Sequence, residues 1–159
     1  MAAAVNAKLR VIALRRGRRS KWIDDTLIFD IGKERRGGGN FVSSRTNLEV
    51  VKRLFIMNGP VKDGGGLYLH DCHNVLIINC MFLFNTAKWG GGLYLERCTN
   101  INVQNCAFIG NFALRDGGAV SVSHSQDIIF ENNLLLLNAA RRHSANYDTF
   151  HSTGFEFRR

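Results

Sequence analysis

The sequence predicts an all-β solenoid of parallel strands, wound as about four coils of 26–27 residues. Three observations carry that expectation. Glycine clusters begin at Gly37, Gly64, Gly90 and Gly117, at spacings of 27, 26 and 27. A second marker recurs in phase: Phe55-x-x-Asn58, Phe82-x-x-Asn85, Phe108-x-x-Asn111 and Leu135-x-x-Asn138. A polar residue (Asn47, Asn74, Asn100, Asp127) precedes an apolar alternation in each repeat. Self-similarity at one period marks a repeat architecture, in which each unit buries its apolar face only by stacking on its neighbours.

The segments between the markers read as short strands. Leu67-Tyr68-Leu69, Leu93-Tyr94-Leu95 and Val120-Ser121-Val122 alternate with period two, as do Ile101-Asn102-Val103-Gln104 and Ile128-Ile129-Phe130-Glu131. Period two bounded by turn residues is strand logic, and no window is helix-like. Three such strands per repeat imply a coil with three faces. Stacking at roughly 4.8 Å sets equivalent residues above one another. The inner ladders expected are Leu67/Leu93/Val120, Leu69/Leu95/Val122, Val75/Ile101/Ile128, Ile77/Val103/Phe130 and Phe55/Phe82/Phe108/Leu135. In the Asn58/Asn85/Asn111/Asn138 ladder, stacked amides are expected to bond one another and the turn backbone. The glycines are expected where a turn needs positive φ or two coils approach closely.

Composition limits the alternatives. The chain has 159 residues, 45% hydrophobic and 21% charged, enough for one domain with a core. Sixteen Gly, fifteen Asn and one Pro, with eleven of the Gly in four clusters, exclude collagen, a coiled coil and a helical bundle. No apolar run approaches ~18 residues, so no transmembrane segment is expected. The net charge of +8 is uneven: residues 1–21 hold +7 with no acid, and the remainder only +1. The basicity therefore belongs to a leader, and no nucleic-acid partner is expected for the body.

Residues 1–21 read as a basic leader, disordered or helical. Val11-Ile12-Ala13-Leu14 is short for a secretory signal, and arginines follow it. A transit peptide, a nuclear or phosphate-binding basic patch and a solvated arm all stay open. Residues 22–36 are expected as a partial coil or N-terminal cap, 37–138 as the solenoid, and 139–159, where the markers stop, as a C-terminal tail or cap. Neither end reads as a strong cap. The coils are therefore expected to belong to a longer protein or to associate end to end.

The pattern resembles the right-handed parallel β-helix, the pectin-lyase-like architecture. It is also similar to the repeats of the chlamydial polymorphic membrane proteins, which alternate Gly-Gly-Ala plus a branched aliphatic residue with Phe-x-x-Asn. Gly117-Gly118-Ala119-Val120 matches the first motif, and Gly64-Gly65-Gly66-Leu67 and Gly90-Gly91-Gly92-Leu93 match with Gly for Ala. Three of the four Phe-x-x-Asn sites are complete, and Leu135 departs from the fourth. The resemblance covers about residues 37–138. It implies a non-catalytic scaffold for surface adhesion, contacting protein or glycan, and an extracellular or cell-surface location. The alternative it implies is a polysaccharide-modifying enzyme or a degenerate remnant of one.

Each candidate site has a plain structural counterpart. Cys72 aligns with Cys98 and Cys80 with Cys106. Ladder side chains point the same way, which suits buried stacked thiols, with disulfides as the alternative. His70-Asp71-Cys72-His73 is dense in ligand atoms, but neighbours in an extended turn diverge, so no metal or cofactor is expected. Asp71/Arg97/His124 reads as a surface charge column. Enzymes of this architecture need clustered carboxylates. Asp63 and Asp116 align only loosely, and Asp127 stands with Asn100 and Asn74, so no catalytic residue is assigned. The outward features favour binding. Phe41, Tyr68 and Tyr94 form an aromatic column suited to sugar rings or a partner. Leu54/Met81/Ala107/Leu134 and Ile56/Leu83/Ile109/Leu136 take the parity opposite to the Phe ladder. They mark a contact surface unless a terminal segment such as 139–159 covers them.

Overall fold

The computed structural model describes residues 36–159 in full, with the strand backbones of Trp22–Ile23 (β1) and Leu27–Ile28 (β2). The leader, residues 1–21, lies outside the described residues, as do most of residues 22–36. The first full coil holds β3 (Asn40–Ser43), β4 (Thr46–Val51), β5 (Leu54–Ile56) and β6 (Val61–Asp63). The second holds β7 (Leu67–His70), β8 (His73–Ile78), β9 (Met81–Leu83) and β10 (Thr86–Trp89). The third holds β11 (Leu93–Glu96), β12 (Thr99–Gln104), β13 (Ala107–Ile109) and β14 (Phe112–Asp116). The fourth holds β15 (Val120–Ser123), β16 (Gln126–Glu131), β17 (Leu134–Leu136) and β18 (Ala139–Ala140). Then come β19 (Tyr147–Phe150) and β20 (Thr153–Arg158). No helix occurs among the described residues.

Every strand pairs in parallel with its equivalent one coil away, giving four sheets. Taken in the order met along a coil, the first sheet is β3-β7-β11-β15-β19 and the second β1-β4-β8-β12-β16-β20. The third is β2-β5-β9-β13-β17 and the fourth β6-β10-β14-β18. The expected three faces are therefore corrected to four. The extra strand escaped the sequence reading because its inward positions are only Val61, Ala87 and Ala113, too few and too small to show an alternation.

Residues 139–159, expected as a tail or cap, carry the pairing onward. Tyr147 and Thr149 stand in register with Val120 and Val122, and Phe155 and Phe157 with Ile128 and Phe130. The glycine marker has gone, but Ser144 and Ala145 take its backbone role, accepting from Gly117 N and Ala119 N at 3.1 and 3.0 Å. The segment is thus spent on strands and does not lie over the third sheet. At the other end, β1 pairs with β4 and β2 with β5, a partial coil.

The interior follows the expected ladders. Leu67/Leu93/Val120, Leu69/Leu95/Val122 and Ile77/Val103/Phe130 are in register and buried. Phe55, Phe82 and Phe108 stack face to face with centroids 4.7 and 4.6 Å apart, and Leu135 closes that column. Burial of each such side chain is worth roughly 1.5–3 kcal/mol. Between the third and fourth sheets stands the asparagine ladder. Asn85 Nδ2 donates to Asn111 Oδ1 and to the Phe55 carbonyl, both at 3.0 Å. Its Oδ1 accepts from Asn58 N and Asn58 Nδ2 at 3.1 and 2.8 Å. Asn111 repeats the pattern on Asn138 and Phe82.

The turns explain the other markers. Gly64, Gly90 and Gly117 hold φ of +60°, +62° and +69°, where side chains are strained. At Gly91 a Cβ would lie 2.3 Å from the Gly118 carbonyl oxygen, so the coils leave it no room. Asn47, Asn74, Asn100 and Asp127 have φ between 53° and 58°, the left-handed region that Asn and Asp tolerate best after Gly. Their recurrence is a backbone requirement, and Gly154 meets it next. The four cysteines are free and buried. They also accept hydrogen bonds: Cys80 Sγ from Arg53 N and Cys106 Sγ from Cys80 N, both at 3.4 Å. One coil further on, Ser125 Oγ and Asn133 Oδ1 do the same for Cys98 N and Cys106 N. These corner positions require a small acceptor, a role the apolar reading of cysteine missed.

Candidate functional site

A groove of about 500 Å³ runs across the outer faces of the first and fourth sheets. Three columns build it. In the fourth sheet, Asp63, Trp89 and Asp116 each precede a glycine cluster and pair directly, with Trp89 between the two carboxylates. This corrects the loose alignment expected for Asp63 and Asp116. The strand β14 carries one extra residue, which shifts the register between Ala87 and Trp89 and brings Arg115 to the groove lining. In the first sheet, one column runs Phe41/Tyr68/Tyr94/Ser121/Asp148 and the next Ser43/His70/Glu96/Ser123/Phe150.

The expected aromatic column forms, with centroids 5.0 Å apart for Phe41–Tyr68 and 5.1 Å for Tyr68–Tyr94. Its role as an open contact surface is corrected. Tyr68 is 0% exposed and Tyr94 9%, and only Phe41, at 42%, offers its ring to solvent. Burial removes Tyr68 from direct ligand contact, and its hydroxyl donates to the Glu96 carboxylate. Burial and Glu96 hold the Tyr68 phenol well above its ordinary value, and the same causes push Tyr94 up to about 12. His70 Nδ1 stands 3.1 Å from Glu96 Oε2, so Glu96 is fixed by two neighbours.

The groove holds charges of both signs. Its acids are Asp63, Glu96, Asp116 and Asp148, and its bases are Arg36, Lys62 and Arg115. Arg36 Nε pairs with Asp63 Oδ2 at 3.4 Å. Three cations surround the Trp89 indole: Lys88 Nζ is 4.3 Å from the ring centroid, Arg115 Cζ 5.6 Å and Lys62 Nζ 6.0 Å. Asp116 Oδ1 is buried without a hydrogen-bond partner among the described residues. Asp148 accepts from Ser121 Oγ at 3.3 Å.

Burial, then the Asp116 charge, hold the Asp148 carboxyl above its usual range, and burial does the same for Asp63. Both bind a proton more readily folded than unfolded. Their contribution to stability is present below pH 3.8 and is lost as pH rises through the raised folded values. Asp148→Asn is therefore expected to raise the thermal midpoint at pH 7, by about 2 °C. The gain should close at pH 3, which a melting series across that range checks.

The remaining sequence candidates come together only in part. In His70-Asp71-Cys72-His73, His70 stands between Glu96 and Asp71, with Nε2 3.0 Å from Asp71 Oδ2, and Asp71 also pairs with Arg97 at 3.2 Å, while Cys72 is buried and His73 is exposed. His124 continues the Asp71/Arg97 column but binds Ser123 Oγ through Nδ1 at 2.7 Å. Among the described residues, no three His, Cys, Asp or Glu side chains gather as a metal site. Trp89, Glu96, Asp148 and Phe150 were missed as site residues. The glycine register places Trp89 between the two Asp, and that was the available signal for it.

The chain matches the family described as the right handed beta helix region over residues 15–135. It belongs to that family, and its four-sheet parallel solenoid is a right-handed β-helix. Comparison with curated proteins and with solved structures gave no match.

Proposed function

We propose that the chain is a non-catalytic β-helix scaffold for surface adhesion, and that it contacts a glycan through the groove around Trp89. The observation that supports this is the lining itself: an indole and the edge of Tyr94 beside carboxylates that can accept from sugar hydroxyls. Sugar rings pair apolar faces with a polar rim, and aromatic rings beside fixed acceptors match both. The resemblance to polymorphic membrane protein repeats favours the same reading.

Retention of the intact chain on a panel of neutral and acidic glycans tests it. Binding to at least one glycan is expected. Trp89→Ala should weaken it about tenfold, the equivalent of ~1.4 kcal/mol, with the melting temperature unchanged. Retention on none, or equal retention by the variant, would overturn the reading.

A second reading, a polysaccharide-cleaving enzyme, is favoured by one observation. Asp63 and Asp116 flank Trp89 two coils apart. At ~4.8 Å per coil that is roughly 9.6 Å, at the upper edge of the carboxylate separation of inverting glycosidases. Reducing-end release that Asp116→Asn abolishes would establish it. Binding without release on every glycan retained would leave the scaffold.

A further inference from the structure

Among the described residues, the third sheet presents an outer face without a polar side chain. Its columns are Leu54/Met81/Ala107/Leu134 and Ile56/Leu83/Ile109/Leu136, in register across four coils. The turn that follows adds Met57, Phe84, Gly110 and Leu137, each at positive φ and so held outward from the coil. Of the ten large apolar side chains left exposed in the described residues, six lie here: Met57, Met81, Phe84, Leu134, Leu136 and Leu137. No segment among the described residues lies over them, because residues 139–158 are committed to β18, β19 and β20. Contiguous apolar surface of this kind marks a site of contact.

We infer that this face docks onto an anionic lipid surface. Charge complementarity selects that occupant. The fourth sheet, next round the coil, carries Lys62, Lys88 and Arg115, and β18 runs on into the exposed Arg141 and Arg142. Asp63 and Asp116, the acids of that sheet, turn into the groove. An apolar strip beside a basic one is the pattern of proteins that lie in the headgroup region of a bilayer. A second copy of the chain is the other occupant such a face could take, and its mark would be a dimer that depends on these side chains. The apolar columns themselves lie outside the glycan groove, which opens on the first and fourth sheets, while Lys62 and Arg115 border both surfaces.

Co-sedimentation of the full chain with vesicles tests the inference. One vesicle set is phosphatidylcholine alone and the other contains roughly 30% phosphatidylserine. The expected result is partition to the anionic vesicles that falls with salt. Phe84→Asn with Leu137→Asn should reduce it at least tenfold. Asn is compatible with the left-handed backbone at both sites, so the fold is retained, and unchanged circular dichroism and melting confirm it. Arg141→Ala and Arg142→Ala should each cost about fivefold at low salt.

Three results would overturn the inference. The first is no partition, or equal partition to both vesicle sets. The second is wild-type partition by the Asn double variant, which would assign any binding to the leader's charge. The third is a dimer in sedimentation velocity that the same Asn substitutions disperse, which would make a second copy the occupant.

Discussion

Asn85→Leu is expected to cost about 3–5 kcal/mol, a large share of the 5–15 kcal/mol that holds a domain together. The side chain is 0% exposed and central in its ladder. Leucine is close in volume, so packing is nearly conserved and the loss is polar. The substitution removes the acceptor for Asn58 N and Asn58 Nδ2, and the donor to the Phe55 carbonyl and to Asn111 Oδ1. Each group that loses its partner inside the solenoid costs roughly 1–3 kcal/mol, partly offset where a neighbour rearranges. Urea unfolding followed by circular dichroism measures it. A loss under 1 kcal/mol would mean the amides are solvated and the corner is open.

Leu95→Asp is expected to be more severe, with no cooperative unfolding transition left at neutral pH. Leu95 is 0% exposed and stands between Leu69 and Val122 in the innermost ladder. A carboxylate there would have aliphatic neighbours in the coils on either side. Burying an unpaired charge exceeds what a single substitution normally costs, above ~4 kcal/mol. Leu95→Val is the control. Val122 already occupies that column one coil on, so the cost should be about 1 kcal/mol. Cooperative wild-type unfolding of the Asp variant would put Leu95 on the outside and reverse the register of every strand in the first sheet.

The ladders were legible because stacking repeats the same chemistry every coil. Phe55/Phe82/Phe108 and the four asparagines need only the period to be read. The fourth strand was not legible, since Val61, Ala87 and Ala113 are single small inward residues with no alternation around them. The last strands were hidden for a different reason. Between Ala140 and Tyr147 the glycine triplet gives way to Ser144-Ala145-Asn146, and the pairing persists through backbone bonds that no side-chain pattern records. The site depended on shape. Parity in β7 put Tyr68 on the outer face, yet the neighbours around it leave it no exposure. Trp89 carried a readable position between Asp63 and Asp116, while the approach of Arg115 depends on the extra residue in β14, which the spacing of the markers does not locate. The apolar outer columns of the third sheet were readable from parity alone. That none of the described residues covers them follows only from the strand pairing of residues 139–158.

The measurement that bears most directly on the functional account is a crystal structure of the chain with a glycan selected by the retention panel. The account predicts a sugar ring against Trp89 with hydroxyls on Glu96 or Asp116. Sugar bound on the second or third sheet, with the Trp89 groove empty, would contradict it.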